Sequence, residues 1–218
     1  MAQTLTIPRM SRLGRSLRRA ELPARIGARV RAQEEASEIL VGWVQLAVVL
    51  GFSVVYLLAP KTFTEAAPFR PVPWVLAAYL AFTLVRLTLA HRHRLPEWLR
   101  YLSIGIDMTL LVGLIWSFHL QYQQPPSFYL KAPTLLYVFI FIALRTLNFG
   151  ARKVVTAGLI AAAGWIVLVF YVITIDPRDS MITRDYVRYM TSNSVLIGAE
   201  VDKVIAILVV TAILGFAI

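Results

Sequence analysis

The stretch "VVTAGLIAAAGWIVLVFYVITI", residues 154–175, decides the fold, because no charged side chain occurs between Lys153 and Asp176. A helix needs about 20 apolar residues to cross the hydrocarbon core of a bilayer, which is about 30 Å thick. The whole chain of 218 residues is 58% hydrophobic and only 16% charged, whereas soluble domains have about 25% charged residues. The sequence therefore predicts an all-α, polytopic membrane protein.

Six apolar stretches of this kind follow one another along the chain. Proline-rich segments, and Asn-Phe-Gly at 148–150, separate them and are typical of turns. We predict a basic cytosolic segment at 1–37 and a six-helix transmembrane domain at 38–218. The predicted spans are about 39–59, 74–90, 99–120, 130–147, 154–175 and 195–218.

Lysine and arginine are distributed unevenly between the two sides of these helices. The N-terminal segment and the loops at 91–100 and 145–153 carry 14 of the 22 Lys and Arg residues. Cytoplasmic loops are enriched in these residues, so we predict that both termini are cytoplasmic. An Arg-rich start is also typical of a mitochondrial transit peptide, but a basic inner face explains the arginines without one.

The N-terminal stretch "RLGRSLRRAELPARIGARVR", residues 12–31, has leucine, isoleucine and valine at helical spacing with arginines between them. This pattern predicts a basic amphipathic helix, interrupted at Pro23, that lies on anionic lipid. Two alternatives remain open: a simple topology signal, or a helix that packs on a cytosolic partner domain. Nucleic acid is a poor fit beside a membrane anchor, so the bilayer is the expected partner.

Two ionisable residues of the predicted spans are not expected in a bilayer without a reason: Arg86 in the second span and Asp107 in the third. A charge in the bilayer is costly unless it is paired or hydrated. Both residues lie in the inner half of neighbouring helices, so we predict an Arg86–Asp107 ion pair, with Arg145 as a second partner or an interface anchor. The pair either fixes helix register, or belongs to a ligand-coupled switch, or lies on a proton or ion pathway.

The stretch "WSFHLQYQQPPSFYLKAP", residues 116–133, is dense in aromatic and hydrogen-bonding groups at the predicted outer interface. It is either an aromatic belt or the mouth of a pocket for a small lipophilic ligand. The outer loop that follows the fifth span has helical spacing from Arg184 to Met190 and is a candidate lid. The residues predicted to form the mouth are His119, Tyr122, Gln124, Tyr129, Lys131, Tyr137 and Glu200.

Several kinds of chemistry are not supported by the sequence. The chain has no cysteine, and its three histidines are divided between basic loops and the opposite side, so we predict no metal site. Neither a nucleophile–base set nor a phosphate-binding glycine loop is present. We therefore predict no catalytic residue and no cofactor in this chain.

Three segments carry a resemblance to a known family. They are "LIWSFHLQYQQPPSFYLKAPTLLYVFIFIALRTLNF", "VVTAGLIAAAGWIVLVFY" and "TRDYVRYMTSNSVLIGAEVDKVIAILVVTAIL". Together they resemble the six-helix membrane anchor of bacterial class III adenylate cyclases, over about residues 35–218. The architecture is more distantly similar to the six-helix sensor of certain quorum-sensing histidine kinases. One departure is Asn148-Phe149-Gly150-Ala151, where related anchors often have an Asp-Pro turn.

The resemblance implies a homodimer in the bacterial inner membrane, followed by a helical linker and a catalytic domain that makes cyclic AMP from ATP with a divalent metal. Residues 204–218 carry no charge or polar stop, so we expect that this catalytic domain follows residue 218 in a longer protein. Ala212 and Gly215 are small residues at i and i+3 that favour close helix approach in a dimer. Three functions remain open: a sensory domain of the cyclase, a passive anchor, and a small transporter or channel.

Overall fold

The computed structural model describes residues 24–58, 70–92, 96–148, 150–175 and 182–218. These residues are predominantly helical, with one short bridge between Ile182 and Val195. A 3-10 helix spans Arg145–Asn148. The α-helices are α1 (Ala24–Leu58), α2 (Pro71–His91), α3 (Glu97–Tyr122), α4 (Ser127–Lys131), α5 (Leu135–Leu144), α6 (Ala151–Ile175), α7 (Tyr186–Thr191) and α8 (Ile197–Phe216).

Four of the described helices are long and apolar enough to cross a membrane. The candidate spans are Glu35–Leu58, Pro71–His91, Glu97–Tyr122 and Ala151–Ile175. They agree in position with the first, second, third and fifth spans predicted from hydropathy. The predicted all-α class is therefore confirmed for the described residues, and the length and composition of these four helices are those of a membrane-inserted protein.

The predicted span at 130–147 is interrupted in the structure. α4 ends at Lys131, and Ala132 is extended, with φ −71° and ψ 147°. Pro133 explains the break, because proline has no N–H to donate and disfavours helical geometry in the residue before it. The apolar helix that follows, Leu135–Asn148, is shorter than the four candidate spans. It covers about 23 Å at the rise of its α and 3-10 parts.

The predicted last span, 195–218, corresponds to α8, Ile197–Phe216. Its 20 residues would cover about 30 Å. Glu200, Asp202 and Lys203 make its first two turns polar, which sets it apart from the four candidate spans. Its remaining three turns are apolar.

α1 is continuous across the boundary predicted between residues 37 and 38. It begins at Ala24, directly after Pro23, and runs for 35 residues. Residues 1–23 of the predicted basic segment, 1–37, lie outside the described residues. One continuous helix thus joins the basic sequence after Pro23 to the first candidate span.

α1 and α2 run antiparallel, as do α6 and α8, whereas α3 and α6 run parallel: Arg100 and Lys153 near their starts both lie beside Glu38, and Trp116 contacts Tyr171 near their ends. α1 packs on α2, and α6 packs on both α3 and α8. Glycine allows this closeness: a Cβ atom at Gly158 would overlap the side chain of Thr211 in α8, and one at Gly164 would lie 2.7 Å from Val112 Cγ2 in α3. Small residues permit such close approach where helices pack in lipid.

Candidate functional site

A group of buried polar side chains connects the helices at the end of the bundle that carries Arg100 and Lys153, here called the basic end. α1 and α2 each contribute two of these side chains. In each helix the two residues are seven positions apart, so they lie on one face, two turns from each other. We call this group the polar network. It consists of Glu38 and Gln45 of α1, Tyr79 and Arg86 of α2, Asp107 of α3, Arg145 of the 3-10 helix and Lys153 of α6.

Glu38 is the anionic centre of the network at the basic end. Its side chain is 2% exposed, and its two oxygens accept from Arg86 Nη2 at 2.7 Å and from Lys153 Nζ at 2.8 Å. Arg100 Nε lies 4.0 Å from the same carboxylate. Three cations from α2, α3 and α6 therefore surround one carboxylate of α1, which holds four helices together.

Gln45 connects Arg86, the ion-pair partner of Glu38, to the carboxylate of Asp107. Arg86 Nη1 donates to Gln45 Oε1 at 2.7 Å, and Gln45 Nε2 donates to Asp107 Oδ1 at 2.7 Å. The same amide nitrogen also contacts the hydroxyl of Tyr79. An amide both accepts and donates, so it can join a guanidinium to a carboxylate without adding charge.

Asp107 is completely buried and forms its ion pair with Arg145. The direct Arg86–Asp107 pair expected from the sequence is therefore replaced by a contact through Gln45. The reason is that α1 packs on α2 and places the amide of Gln45 between the two charges, while Glu38 supplies Arg86 with its own anion. Arg145, left open as a partner or an anchor, is the partner.

Sequence reasoning missed Glu38, Gln45 and Tyr79 as members of the network, and named Lys153 only as a basic residue of a loop. A signal was present for two of them. Gln45 is the one amide side chain within 39–59, and Glu38 precedes it by seven residues on the same helix face. Tyr79 carries no comparable signal, because tyrosine is common in membrane helices.

An elongated cavity of about 300 Å³ lies next to the network. α1, α2, α3 and α5 line it, mostly with apolar and aromatic side chains. Asp107 and Tyr79 of the network are at its inner end, and Gln121 and Tyr122 are at the other. From Asp107 to Gln121 the cavity follows one face of α3 for about 21 Å.

The residues predicted to form one outer mouth are divided in the structure. Tyr122 and Tyr137 line the cavity. His119 is buried on another face of α3, among the rings of Trp116, Tyr129 and Tyr171. The side chain of Gln124 is exposed, and its backbone N–H donates to the His119 carbonyl at 3.0 Å, at the end of α3.

The remaining mouth residues join a second polar cluster, here called the Glu200 cluster. Glu200 is 2% exposed and accepts from Trp165 Nε1 at 3.1 Å, from Lys203 Nζ at 2.8 Å and from Tyr189 OH at 3.3 Å. Lys131 Nζ lies 4.9 Å from the centre of the Tyr189 ring. This cluster joins α4, α6, α7 and α8.

The predicted lid corresponds to α7, which packs over the Glu200 cluster. Asp185 begins the helix, because its carboxylate accepts from the backbone N–H of Val187 at 2.9 Å. Burial, with the nearby charge of Glu200, raises the pKa of Tyr189 to about 12. Tyr189 is therefore a neutral hydrogen-bond donor to Glu200 at physiological pH.

Ala212 and Gly215, predicted as a close-approach face for a dimer, have different surroundings. Ala212 is exposed on α8. Gly215 is half-buried, and a Cβ atom there would lie 3.5 Å from Val155 Cγ2 of α6. Gly215 therefore faces α6 of the same chain, whereas Ala212 remains on the free face.

Within the described ranges, no group of three or more His, Cys, Asp or Glu side chains is arranged to hold a metal ion. Comparison of the chain with protein-family models, with curated proteins and with solved structures finds no match. The fold and site define a helical membrane protein with a buried polar network beside an apolar cavity.

Proposed function

We propose that this chain is the membrane domain of a bacterial class III adenylate cyclase, holding a dimeric catalytic domain in the cytoplasm and adjusting its conversion of ATP to cyclic AMP. One observation supports a sensory role beyond the resemblance of residues 35–218 to such anchors. A continuous line of contacts runs from the cavity, through Asp107, Gln45 and Arg86, to Glu38 at the basic end.

In this proposal the chain crosses the inner membrane six times. The segment Ser127–Asn148 and α8 add two crossings to the four candidate spans, and both termini are cytoplasmic. The support is the distribution of charge: the segments 91–100 and 145–153 are rich in Lys and Arg, and Arg100 and Lys153 lie beside the same carboxylate of Glu38 at one end of the bundle. ATP and a divalent metal belong to the catalytic domain.

The polar network supplies the coupling step of the proposal. A molecule in the cavity contacts Asp107 and Tyr79, and both bond to Gln45 of α1. α1 continues from Gln45 past Glu38 to Ala24, so a rotation of α1 at the cavity is carried to the basic end. The molecule shifts cyclase output only by the difference between its affinities for the two arrangements.

Dimerisation is proposed through the free face of α8, where Ala212 is exposed. This face also carries Ile205, Val209 and Ile213, which are 51%, 49% and 60% exposed. Apolar exposure alone is expected in lipid, so the small side chain of Ala212 is the feature that favours a second copy.

To test the proposal, residues 1–218 are fused through a helical linker to a class III catalytic domain. Cyclic AMP formation is then measured in membranes. Gln45→Leu interrupts the line of contacts and is expected to change specific activity at least threefold at equal membrane levels. Leu50→Met, on the exposed face of the same helix, is the matched control and leaves activity unchanged.

Two results would contradict the sensory role. If Gln45→Leu lowers only the amount of protein and leaves specific activity constant, the chain is a passive anchor. The second result compares residues 1–218 with an unrelated six-helix anchor joined to the same catalytic domain. If the unrelated anchor gives the same specific activity and the same response to stimuli that do not depend on Gln45, residues 1–218 contribute no regulation.

A further inference from the structure

Gln121 is a buried amide at the outer end of the cavity and has an unused acceptor. Its side chain is 2% exposed and lines the cavity. Its Oε1 atom is buried and has no hydrogen-bond partner in the structure. A buried acceptor without a donor costs about 1–3 kcal/mol, so Gln121 is suited to a molecule that donates a hydrogen bond at this point.

The shape of the cavity restricts the rest of that molecule. About 300 Å³ is at the small end of ligand pockets, and here it extends along α3 from Gln121 to Asp107. The wall between these ends is apolar, formed by side chains such as Leu110, Leu114 and Phe118. A narrow apolar channel fits one linear hydrocarbon chain better than a fused ring system or a two-chain phospholipid.

Charge at the inner end excludes a fatty acid in the reverse orientation. Asp107 lines the cavity there, and its carboxylate is already bonded to Gln45 and Arg145. A second carboxylate beside it would be repelled in a medium of low dielectric constant. A neutral head group at Gln121, with the chain directed toward Asp107, avoids this cost.

We propose that the cavity between α1, α2, α3 and α5 is a binding site for an uncharged single-chain alcohol, whose hydroxyl donates to Gln121 Oε1. The site gives the proposed sensory function a ligand class, and in that respect rests on it. Binding itself requires only residues 1–218. It is therefore measured without a catalytic domain, and its failure is distinguishable from failure of cyclase regulation.

The experiment uses the purified chain in phosphatidylcholine nanodiscs with a photoreactive decanol analogue, and maps the labelled residues by mass spectrometry. Labelling is expected on α3 and α1 at the cavity wall. Unlabelled decanol should compete about fivefold better than decyl methyl ether, which cannot donate a hydrogen bond. Decane and decanoate should compete no better than the ether.

Three variants assign the site. Leu114→Trp fills the channel and is expected to abolish labelling of α3, whereas Leu159→Trp, at a position of α6 that is 55% exposed, leaves it unchanged. Gln121→Leu should weaken decanol about fivefold and remove its advantage over the ether. Thermal unfolding of each variant shows that the fold is retained.

The proposal is overturned by either of two outcomes. Labelling spread evenly over the exposed faces of α6 and α8, and unaffected by Leu114→Trp, means that the alcohol only partitions into lipid around the protein. Equal competition by decanol, the ether and decane means that the cavity accepts hydrocarbon without recognising a hydroxyl. If decanol binds as proposed but does not change cyclic AMP output, the sensory function is contradicted and the binding site is still supported.

Discussion

Gln45 shows how one neutral side chain determines the pairing of the charges around it. Its carbonyl accepts from Arg86 and its amide nitrogen donates to Asp107. Without it, Arg86 and Asp107 would be the natural pair across neighbouring helices. With it, each charge keeps a partner of its own, Glu38 for Arg86 and Arg145 for Asp107.

This arrangement predicts unequal coupling between Asp107 and the two arginines. Asp107→Leu leaves Arg145 as an unpaired buried charge and is expected to destabilise the bundle by about 3–5 kcal/mol. Adding Arg145→Leu removes that charge and should restore much of the loss. Adding Arg86→Leu should restore little, because it leaves Arg145 unpaired and removes the partner of Glu38. Unfolding in mixed micelles with increasing SDS measures the three differences.

Equal restoration by the two arginine changes would contradict the observed pairing. It would mean that Asp107 pairs with both arginines, and greater restoration by Arg86→Leu would favour the direct Arg86–Asp107 pair instead. Leu50→Met, exposed on α1, controls for general effects of substitution in a span.

At the scale of the helices, packing in this protein depends on where glycine is used. Gly158 of α6 faces Thr211 of α8, whereas a Cβ atom at Gly113 of α3 would have no neighbour within 4 Å. Both are helical glycines, so the same substitution should have opposite effects at the two positions.

Gly158→Ala is expected to destabilise the contact between α6 and α8 by about 1–3 kcal/mol, because the added methyl group overlaps Thr211. Gly113→Ala is the matched control and should be neutral or stabilising by up to about 1 kcal/mol, since alanine favours a helix over glycine. The same SDS titration compares them. A stabilising Gly158→Ala would mean that α8 lies farther from α6 than the structure places it.

The interruption near Pro133 belongs to the same scale. Hydropathy alone joins 130–147 into one span, because Leu130 and the run after Thr134 are both apolar. Backbone chemistry separates them: the proline ends α4, and α5 begins at Leu135. The proline was visible in the sequence, but the short α4 was not, because five residues carry too little periodicity to be recognised.

At the scale of the whole molecule, the absence of cysteine in the sequence makes the proposed orientation directly testable. Gln124 and Glu97 are exposed at opposite ends of α3. In intact cells, a single cysteine in Gln124→Cys should react with a membrane-impermeant maleimide. A single cysteine in Glu97→Cys should react only after the membrane is permeabilised. The reverse pattern would invert the proposed topology, and reaction of both in intact cells would exclude α3 as a span.

The sequence by itself determined the helical membrane class and the positions of four spans, because length and hydropathy reflect a local requirement: each helix must satisfy its own backbone in lipid. It also indicated Arg86 and Asp107, since a charge in an apolar run is visible without knowing its neighbours. Only the tertiary structure decided the partners. Gln45 lies between them, Glu38 takes Arg86, and the predicted outer mouth separates into a cavity and the Glu200 cluster. Those choices depend on which faces of distant helices meet, and hydropathy does not record the rotation of one helix against another.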